Sequence, residues 1–158
     1  MVEEINICFK AFDEISEKFS IEKIKTIGDS FMAAGGVPLP DKKAAEHTVR
    51  AALEMQEFLE TRFKERTENN LLALKMRSGI HSGSVVAGIV GVKKFQYDIW
   101  GDTVNTASRL ETYGDSGKVN ISDSTYELIK DIEDFSFENR GKIEVKGKGK
   151  IEMYYVSV

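Results

Sequence analysis

Segments with helical periodicity alternate along this chain with short strand-like segments, and this alternation constrains the fold more than any other feature of the sequence. Apolar residues recur at helical spacing over residues 3–19 and 42–66. A third helix is predicted for Asp102–Tyr113, because it begins with good capping residue types and ends just before a glycine. A fourth helix is predicted for Ser122–Lys130, with the serine as its cap.

The strand candidates are short, and several of them are separated only by turn residues. They are two strands within residues 21–35 around a turn at Gly28-Asp29, then Met76–Ser82, Val85–Val90, Phe95–Trp100, Val119–Ile121, Phe135–Glu138, Ile143–Val145 and Met153–Val156. Strands this close in sequence pair readily as hairpins. The pattern therefore predicts an α/β (α+β) sandwich of ferredoxin-like type, with a mixed, mainly antiparallel sheet and helices packed on it.

Length and composition limit the classes of protein that the chain can represent. Its 158 residues suit one compact domain, and no repeat or linker divides them. The net charge of −4 argues against a general nucleic-acid binder. Cys8 is the only cysteine, so an intrachain disulfide and a CxxC metal site are excluded. We expect one domain, residues 1–158, in the cytoplasm, without nucleic-acid or direct membrane contact, either free or as the cytosolic part of a membrane-bound protein.

Four sequence blocks carry the strongest functional signal. They are EKIKTIGD at residues 22–29, GIHSGSVVAGIVG at residues 79–91, QYDIWGDTVNTASRL at residues 96–110, and VKGKG at residues 145–149. These blocks closely resemble those of class III adenylyl and guanylyl cyclase catalytic domains, in the same order and at the same spacing. The resemblance covers nearly the whole chain and implies the nucleotide cyclase form of the ferredoxin-like fold.

The resemblance also implies an activity and a set of partners. The family converts a nucleoside triphosphate to a 3′,5′-cyclic nucleotide and pyrophosphate, in signalling. It uses two divalent metal ions, Mg²⁺ or Mn²⁺, and its active sites lie at a dimer interface. The implied partners are therefore a nucleotide and a second copy of the chain, in a homodimer with shared active sites.

Two residues within these blocks point to ATP as the nucleotide. Adenine offers an acceptor at N1 and an amino donor at N6, whereas guanine offers a donor N–H and a carbonyl acceptor at the same places. Lysine only donates and ionised aspartate only accepts, so Lys25 with Asp98 fits adenine and leaves mismatched groups against guanine. In the guanylyl relatives the corresponding positions resemble Glu and Cys. We therefore expect an adenylyl-type, ATP-binding site.

The remaining site residues take their roles from the resemblance. Asp29, in the predicted hairpin turn, matches a position that binds both metal ions through carboxylate oxygen. Asn105 and Arg109, four residues apart on one helix face, match the residues that orient the ribose and stabilise the transition state. Lys146 matches a lysine that contacts the terminal phosphates. Without the resemblance, each of these four would be read as an ordinary solvated turn or helix residue.

One element of the family pattern is absent from the sequence. In the family, a strand with the pattern Phe-x-Asp-Ile precedes the first helix, and its aspartate is the second shared metal ligand. Only Met1-Val-Glu-Glu precedes Ile5 here. We therefore expect an unpaired strand edge, a first strand missing from the sheet, and weak or no activity for this chain as given.

Two other functions remain open from the sequence. The chain could be a non-catalytic cyclase-homology module that dimerises or senses ATP, which the missing strand favours and the retained site residues disfavour. An RNA-binding ferredoxin-like domain is a poorer hypothesis, because the chain is acidic and no strand has the aromatic pattern used for base stacking.

Overall fold

A computed structural model, which describes all of residues 1–158, contains four helices and eight strands. The helices are α1 (Val2–Lys18), α2 (Ala44–Glu68), α3 (Asp102–Thr112) and α4 (Asp123–Ile129). The strands are β1 (Glu22–Ile27), β2 (Ser30–Ala34), β3 (Ser78–Ile80), β4 (Val86–Val90), β5 (Gln96–Trp100), β6 (Val119–Ser122), β7 (Ser136–Val145) and β8 (Gly149–Ser157). The predicted α+β class and the four predicted helices are confirmed. None of the helices combines the length and apolar character that a membrane span requires.

The strands form one four-stranded sheet and two separate hairpins. The order in the sheet is β3-β6-β8-β7, with β3 and β6 parallel and the other pairs antiparallel. The hairpins are β1–β2 and β4–β5. Strands β1 and β3 each pair on one side only.

Several strand predictions differ from the structure in their bounds, and the predicted strand Met153–Val156 is longer in the structure, where β8 spans Gly149–Ser157. The predicted strands Phe135–Glu138 and Ile143–Val145 are one strand, β7, which pairs with β8 along its whole length. The polar stretch between them reads as a break, but a register shift between Asn139 and Gly141 absorbs the irregularity and lets the pairing continue. The predicted strand Met76–Ser82 is shorter in the structure, because only Ser78–Ile80 pairs with β6.

Helix α2 lies between the two larger hydrophobic clusters and joins them. One side of the helix, through Val49 and Ala52, packs with α4 and the sheet. Its other side, through Ala51, Met55 and Leu59, packs with α1 and the residues beside β1. This double packing explains why the apolar stripe of α2 is wide enough to bury two faces of the helix.

The helix α3 is anchored to the sheet and to the β7–β8 hairpin. Leu110 is fully buried and packs with Val145 and Met153 in a third cluster. A Cβ on Gly79 of β3 would lie 2.1 Å from the backbone nitrogen of Glu111, so only glycine permits this close approach of strand and helix. These contacts fix the position of the helix that carries two of the predicted site residues.

A buried ion pair ties α1 to α2. Glu4 is buried, and its carboxylate accepts hydrogen bonds from Arg62 at 2.5 and 2.9 Å, with Arg66 at 3.3 Å. The hydrogen bond from Arg62 holds the pKa of Glu4 below its ordinary value. The stability from this pair is therefore present above the unfolded-state pKa, about 4.3, and is lost as the pH falls through the lower folded-state pKa.

We expect Arg62→Met to lower the free energy of unfolding by about 1.5–3 kcal/mol at neutral pH, since it removes two hydrogen bonds to a buried carboxylate. Urea denaturation followed by circular dichroism measures the change. The control is Lys18→Met, which removes a more exposed pair with Glu54 between the same two helices and should cost about 1 kcal/mol or less. An equal loss in the free energy of unfolding for both variants would contradict the larger contribution expected from the buried pair.

Candidate active site

Lys25 and Asp98 form an ion pair between two hairpins. The Nζ of Lys25 on β1 donates to Oδ2 of Asp98 on β5 at 2.9 Å. Asp98 is only 8% exposed, and its Oδ1 accepts the backbone N–H of Ile99 at 2.8 Å. The strands are linked again where Gln96 Nε2 donates to the carbonyl of Ile24 at 3.4 Å. The two residues, 73 positions apart in sequence, therefore present their polar ends together.

The electrostatics of this pair favour the ionised form of Asp98. The hydrogen bond from Lys25 holds the pKa of Asp98 below its ordinary value, with the backbone N–H of Ile99 acting in the same direction. A carboxylate has about four lone-pair sites and an ammonium has three donors, so each group retains capacity for a ligand. The site can therefore offer a fixed donor beside a fixed acceptor.

Asn105 and Arg109 lie on the exposed face of α3. Thr106 and Leu110, which follow them by one position each, are buried and anchor a neighbouring face of the helix. Neither the Asn105 nor the Arg109 side chain has a hydrogen-bond partner within the chain, so both are free to bind a ligand. Helix α3 begins two residues after β5 ends, which places this face directly after the strand that carries Asp98.

Asp29 lies at the tip of the β1–β2 hairpin and is exposed. No ion pair or hydrogen bond joins its carboxylate to another side chain. No group of three or more His, Cys, Asp or Glu side chains in the chain could hold a metal ion. Within the chain, Asp29 is therefore a single exposed carboxylate on a hairpin tip.

Lys146 lies in the turn between β7 and β8, and its side chain is exposed without a partner. Its backbone N–H donates to the hydroxyl of Tyr113 at 3.3 Å. The neighbouring Lys148 pairs with Asp102 at the start of α3. The structure thus brings the turn against the helix that carries Asn105 and Arg109.

Two contacts of this region have only weak signals in the sequence. Tyr113 reads as the residue that ends a helix, and Lys148 as a solvated lysine between two glycines. A hydrogen bond between residues 33 positions apart follows from the packing of the hairpin on α3, which no local pattern reveals. The repeated Lys-Gly of the turn is the one sequence signal that indicates a functional role for this segment.

Comparison with known proteins identifies the family. The model of the adenylate and guanylate cyclase catalytic domain matches residues 1–158. An adenylate cyclase of Mycobacterium tuberculosis is 38% identical over 156 residues, which cover 99% of this chain and 34% of the relative. The soluble guanylate cyclase subunit beta-2 of Rattus norvegicus is also 38% identical over 156 residues, which cover 99% of this chain and 22% of the relative.

A solved structure agrees with the sequence relatives. The guanylate cyclase domain of RhGC from Catenaria anguillulae, in complex with GTP, superposes with a TM-score of 0.87 at 35% identity, covering 97% of this chain and 81% of that one. The chain spans about a third or less of the curated relatives reported above. Sequence, family model and fold agree, and the chain belongs to the adenylate and guanylate cyclase catalytic domain family.

Proposed function

We propose that this chain is the catalytic domain of an adenylate cyclase, which converts ATP to 3′,5′-cyclic AMP and pyrophosphate in cyclic-nucleotide signalling. In this reaction the ribose 3′-hydroxyl loses its proton and its oxygen forms a bond to the α-phosphorus, while the bond from that phosphorus to pyrophosphate breaks. The observation that carries the proposal is the Lys25–Asp98 pair, because the chain has both adenylate and guanylate cyclases among its relatives and this pair offers a donor and an acceptor that can distinguish the two bases.

The geometry of the pair favours adenine. With Lys25 against the ring N1 and Asp98 against the exocyclic group, adenine presents an acceptor and a donor in matching order. Guanine in the same pose presents an N–H to the ammonium and a carbonyl to the carboxylate, so both contacts become repulsive. Because Asp98 is buried, water cannot readily supply the hydrogen bond that its carboxylate loses when guanine is bound. This loss increases the discrimination between adenine and guanine.

The face of α3 supplies the groups that act on the ribose and phosphates. Asn105 orients the ribose so that its 3′-oxygen approaches the α-phosphorus. The guanidinium of Arg109 stays protonated and presents a fork of donors to the charge that moves towards the departing pyrophosphate. Lys146 contacts the terminal phosphates. These roles fit side chains that are exposed and have no partner within the chain.

Residues 1–158 do not complete the metal site that the family uses. Ions of the Mg²⁺ or Mn²⁺ type supply charge neutralisation of the triphosphate, and oxygen ligands suit both. Asp29 can provide one such ligand, but no group of three candidate ligands surrounds it. We therefore expect the 158-residue chain on its own to turn over ATP only slowly.

The β4–β5 hairpin favours a homodimer. Four of its large apolar side chains are strongly exposed, namely Val86 (67%), Ile89 (70%), Val92 (92%) and Phe95 (73%). An apolar surface of this kind on a projecting hairpin usually marks a protein contact. In the dimer that we propose, one chain supplies Asp29 and the other supplies the α3 face, so the active sites are shared.

We expect Ile89→Asp to convert the dimer to a monomer, because a carboxylate would be buried without a partner in the apolar contact. Analytical ultracentrifugation over a range of protein concentrations measures the change, with a dissociation constant that rises by about 100-fold or more. Leu128→Asp is the matched control, since Leu128 is equally apolar and 64% exposed on α4. A shift of the same size with the control would show that the hairpin is not the contact.

The compartment follows from the same proposal. ATP is plentiful in the cytoplasm, and the only cysteine, Cys8, is buried and unpaired, as expected in a reducing environment. We place the domain in the cytoplasm, either free or as the cytosolic part of a larger membrane-bound protein.

The proposed function is tested with radiolabelled ATP and Mn²⁺, beside calorimetric titration with a non-hydrolysable ATP analogue. We expect the analogue to bind and cyclic AMP to form slowly. Binding without any cyclic AMP, even at high enzyme concentration, would instead support the non-catalytic ATP-sensing module, which the incomplete metal site favours. Absence of both binding and turnover would contradict the proposal that this chain carries a nucleotide site.

A further inference from the structure

One stripe of α3 carries both the proposed catalytic residues and two contacts to the β7–β8 turn. Asp102, Asn105, Arg109 and Tyr113 follow one another at intervals of three or four residues, so they share one side of the helix. The two middle residues are exposed and have no side-chain partner within the chain. The two end residues both bond to the turn that contains Lys146.

The contacts hold the turn at three points. The Tyr113 hydroxyl accepts the backbone N–H of Lys146 at 3.3 Å. Lys148, whose side chain is only 18% exposed, pairs with the Asp102 carboxylate. Val145, at the start of the turn, is 1% exposed and packs in the cluster that contains Leu110 of α3. None of these contacts uses the Lys146 side chain, so all three leave its ammonium free.

We propose that Tyr113 and the Asp102–Lys148 pair are positioning residues, which hold the β7–β8 turn beside the catalytic stripe so that Lys146 meets the terminal phosphates of the bound nucleotide. This inference rests on the proposed function for the role of Lys146, but the hydrogen bond and ion pair themselves are independent of it. The proposed positioning role also accounts for Lys148, to which no phosphate contact is assigned.

The β7–β8 turn needs these restraining contacts, which we call the brace, because its own backbone is flexible. Gly147 and Gly149 both have positive φ, of 78° and 76°, so the turn is built around residues with wide conformational freedom. A lysine on a mobile turn loses loop and side-chain entropy when it binds a phosphate, and this loss weakens the contact. Fixing the backbone of Lys146 in advance removes part of the loss and leaves the ammonium in reach of the ligand.

The test uses Tyr113→Phe, which removes one hydroxyl and retains the ring. We expect the amide hydrogen of Lys146, followed by NMR, to exchange about tenfold faster in this variant. We also expect the affinity for a non-hydrolysable ATP analogue to fall about threefold to tenfold. The affinity for AMP, which lacks the terminal phosphates, should stay unchanged. A merely structural defect would lower the affinities for the ATP analogue and for AMP together.

Matched variants keep the test specific. Tyr155→Phe is the control, because the Tyr155 hydroxyl also accepts a backbone N–H, from Asp115 at 3.1 Å, away from the turn. It should alter neither the Lys146 exchange rate nor the ratio of ATP-analogue to AMP affinity. For the ion pair, Lys148→Asp should lower the same ratio about threefold to tenfold, and the exchanged pair Asp102→Lys with Lys148→Asp should restore most of it.

The outcomes separate this inference from the proposed function. An unchanged Lys146 exchange rate in Tyr113→Phe overturns the brace. Faster exchange with an unchanged affinity ratio, while Lys146→Ala does lower the ratio, overturns the positioning role. If Lys146→Ala itself leaves the ratio unchanged, the phosphate contact assigned to Lys146 is wrong. The positioning role then fails with it, and the exchange rate alone still decides whether the brace exists.

Discussion

We expect the double substitution Lys25→Glu with Asp98→Cys to reverse the base preference of the chain from ATP to GTP. Glutamate accepts where Lys25 donates, and a thiol can donate where the Asp98 carboxylate only accepts, so the order of donor and acceptor is inverted. A site that reads a base through such hydrogen bonds discriminates by up to about 10⁴-fold. The measurement is the ratio of dissociation constants for non-hydrolysable ATP and GTP analogues, by calorimetry.

A control on the same strand separates base reading from general damage. Lys23 also lies on β1, and its side chain pairs with Asp13 rather than with Asp98. Lys23→Glu should leave the ratio of dissociation constants within about twofold of the unmodified chain, as surface ion pairs contribute little. A double variant that binds both analogues with an unchanged ratio would contradict the assignment of Lys25 and Asp98 to the base.

Arg109→Ala is expected to lower the rate of cyclic AMP formation by about 10²–10³-fold at saturating ATP, the usual effect of losing one preorganised donor to transition-state charge. Affinity for a non-hydrolysable ATP analogue should change much less, because the charge on the departing pyrophosphate develops only in the transition state. Single-turnover assays with Mn²⁺, radiolabelled ATP and enzyme in excess detect even slow conversion.

The matched control for Arg109 is another arginine near α3. Arg77 pairs with Glu111 on that helix at 3.6 Å and donates to the carbonyl of Thr112 at 3.3 Å, so its guanidinium, unlike that of Arg109, has partners within the chain. Arg77→Ala should keep the rate within about threefold of the unmodified chain. If Arg109→Ala lowers binding by as much as it lowers the rate, Arg109 holds the substrate rather than the transition state.

The sequence predicts the elements of this fold better than their contacts. Helical periodicity locates α1 and α2, and capping residues locate α3 and α4, because these signals are local. The sequence predicts two strands where the structure has the single long β7, since the polar middle of β7 has no local strand signal and is held in place by pairing with β8. Tertiary pairing here overrides local preference.

The same distinction applies to the candidate site. Asn105 and Arg109 share a helix face by spacing alone, but the contact between Lys25 and Asp98 joins two hairpins 73 residues apart. Only the resemblance to a family could suggest that pairing before the structure. No sequence pattern predicts the hydrogen bond from Lys146 to Tyr113 or the pairing of Lys148 with Asp102, because both depend on how the β7–β8 hairpin packs on α3.

The preference of the nucleotide site for adenine is measured by equilibrium competition between ATP and GTP analogues for the unmodified chain, with Mn²⁺ present. We expect the ATP analogue to displace a fluorescent nucleotide at a concentration at least about 100-fold lower than the GTP analogue. This measurement does not depend on turnover, so the incomplete metal site does not prevent a decision. Equal displacement by the two analogues, or tighter binding of the GTP analogue, would show that the site does not select adenine.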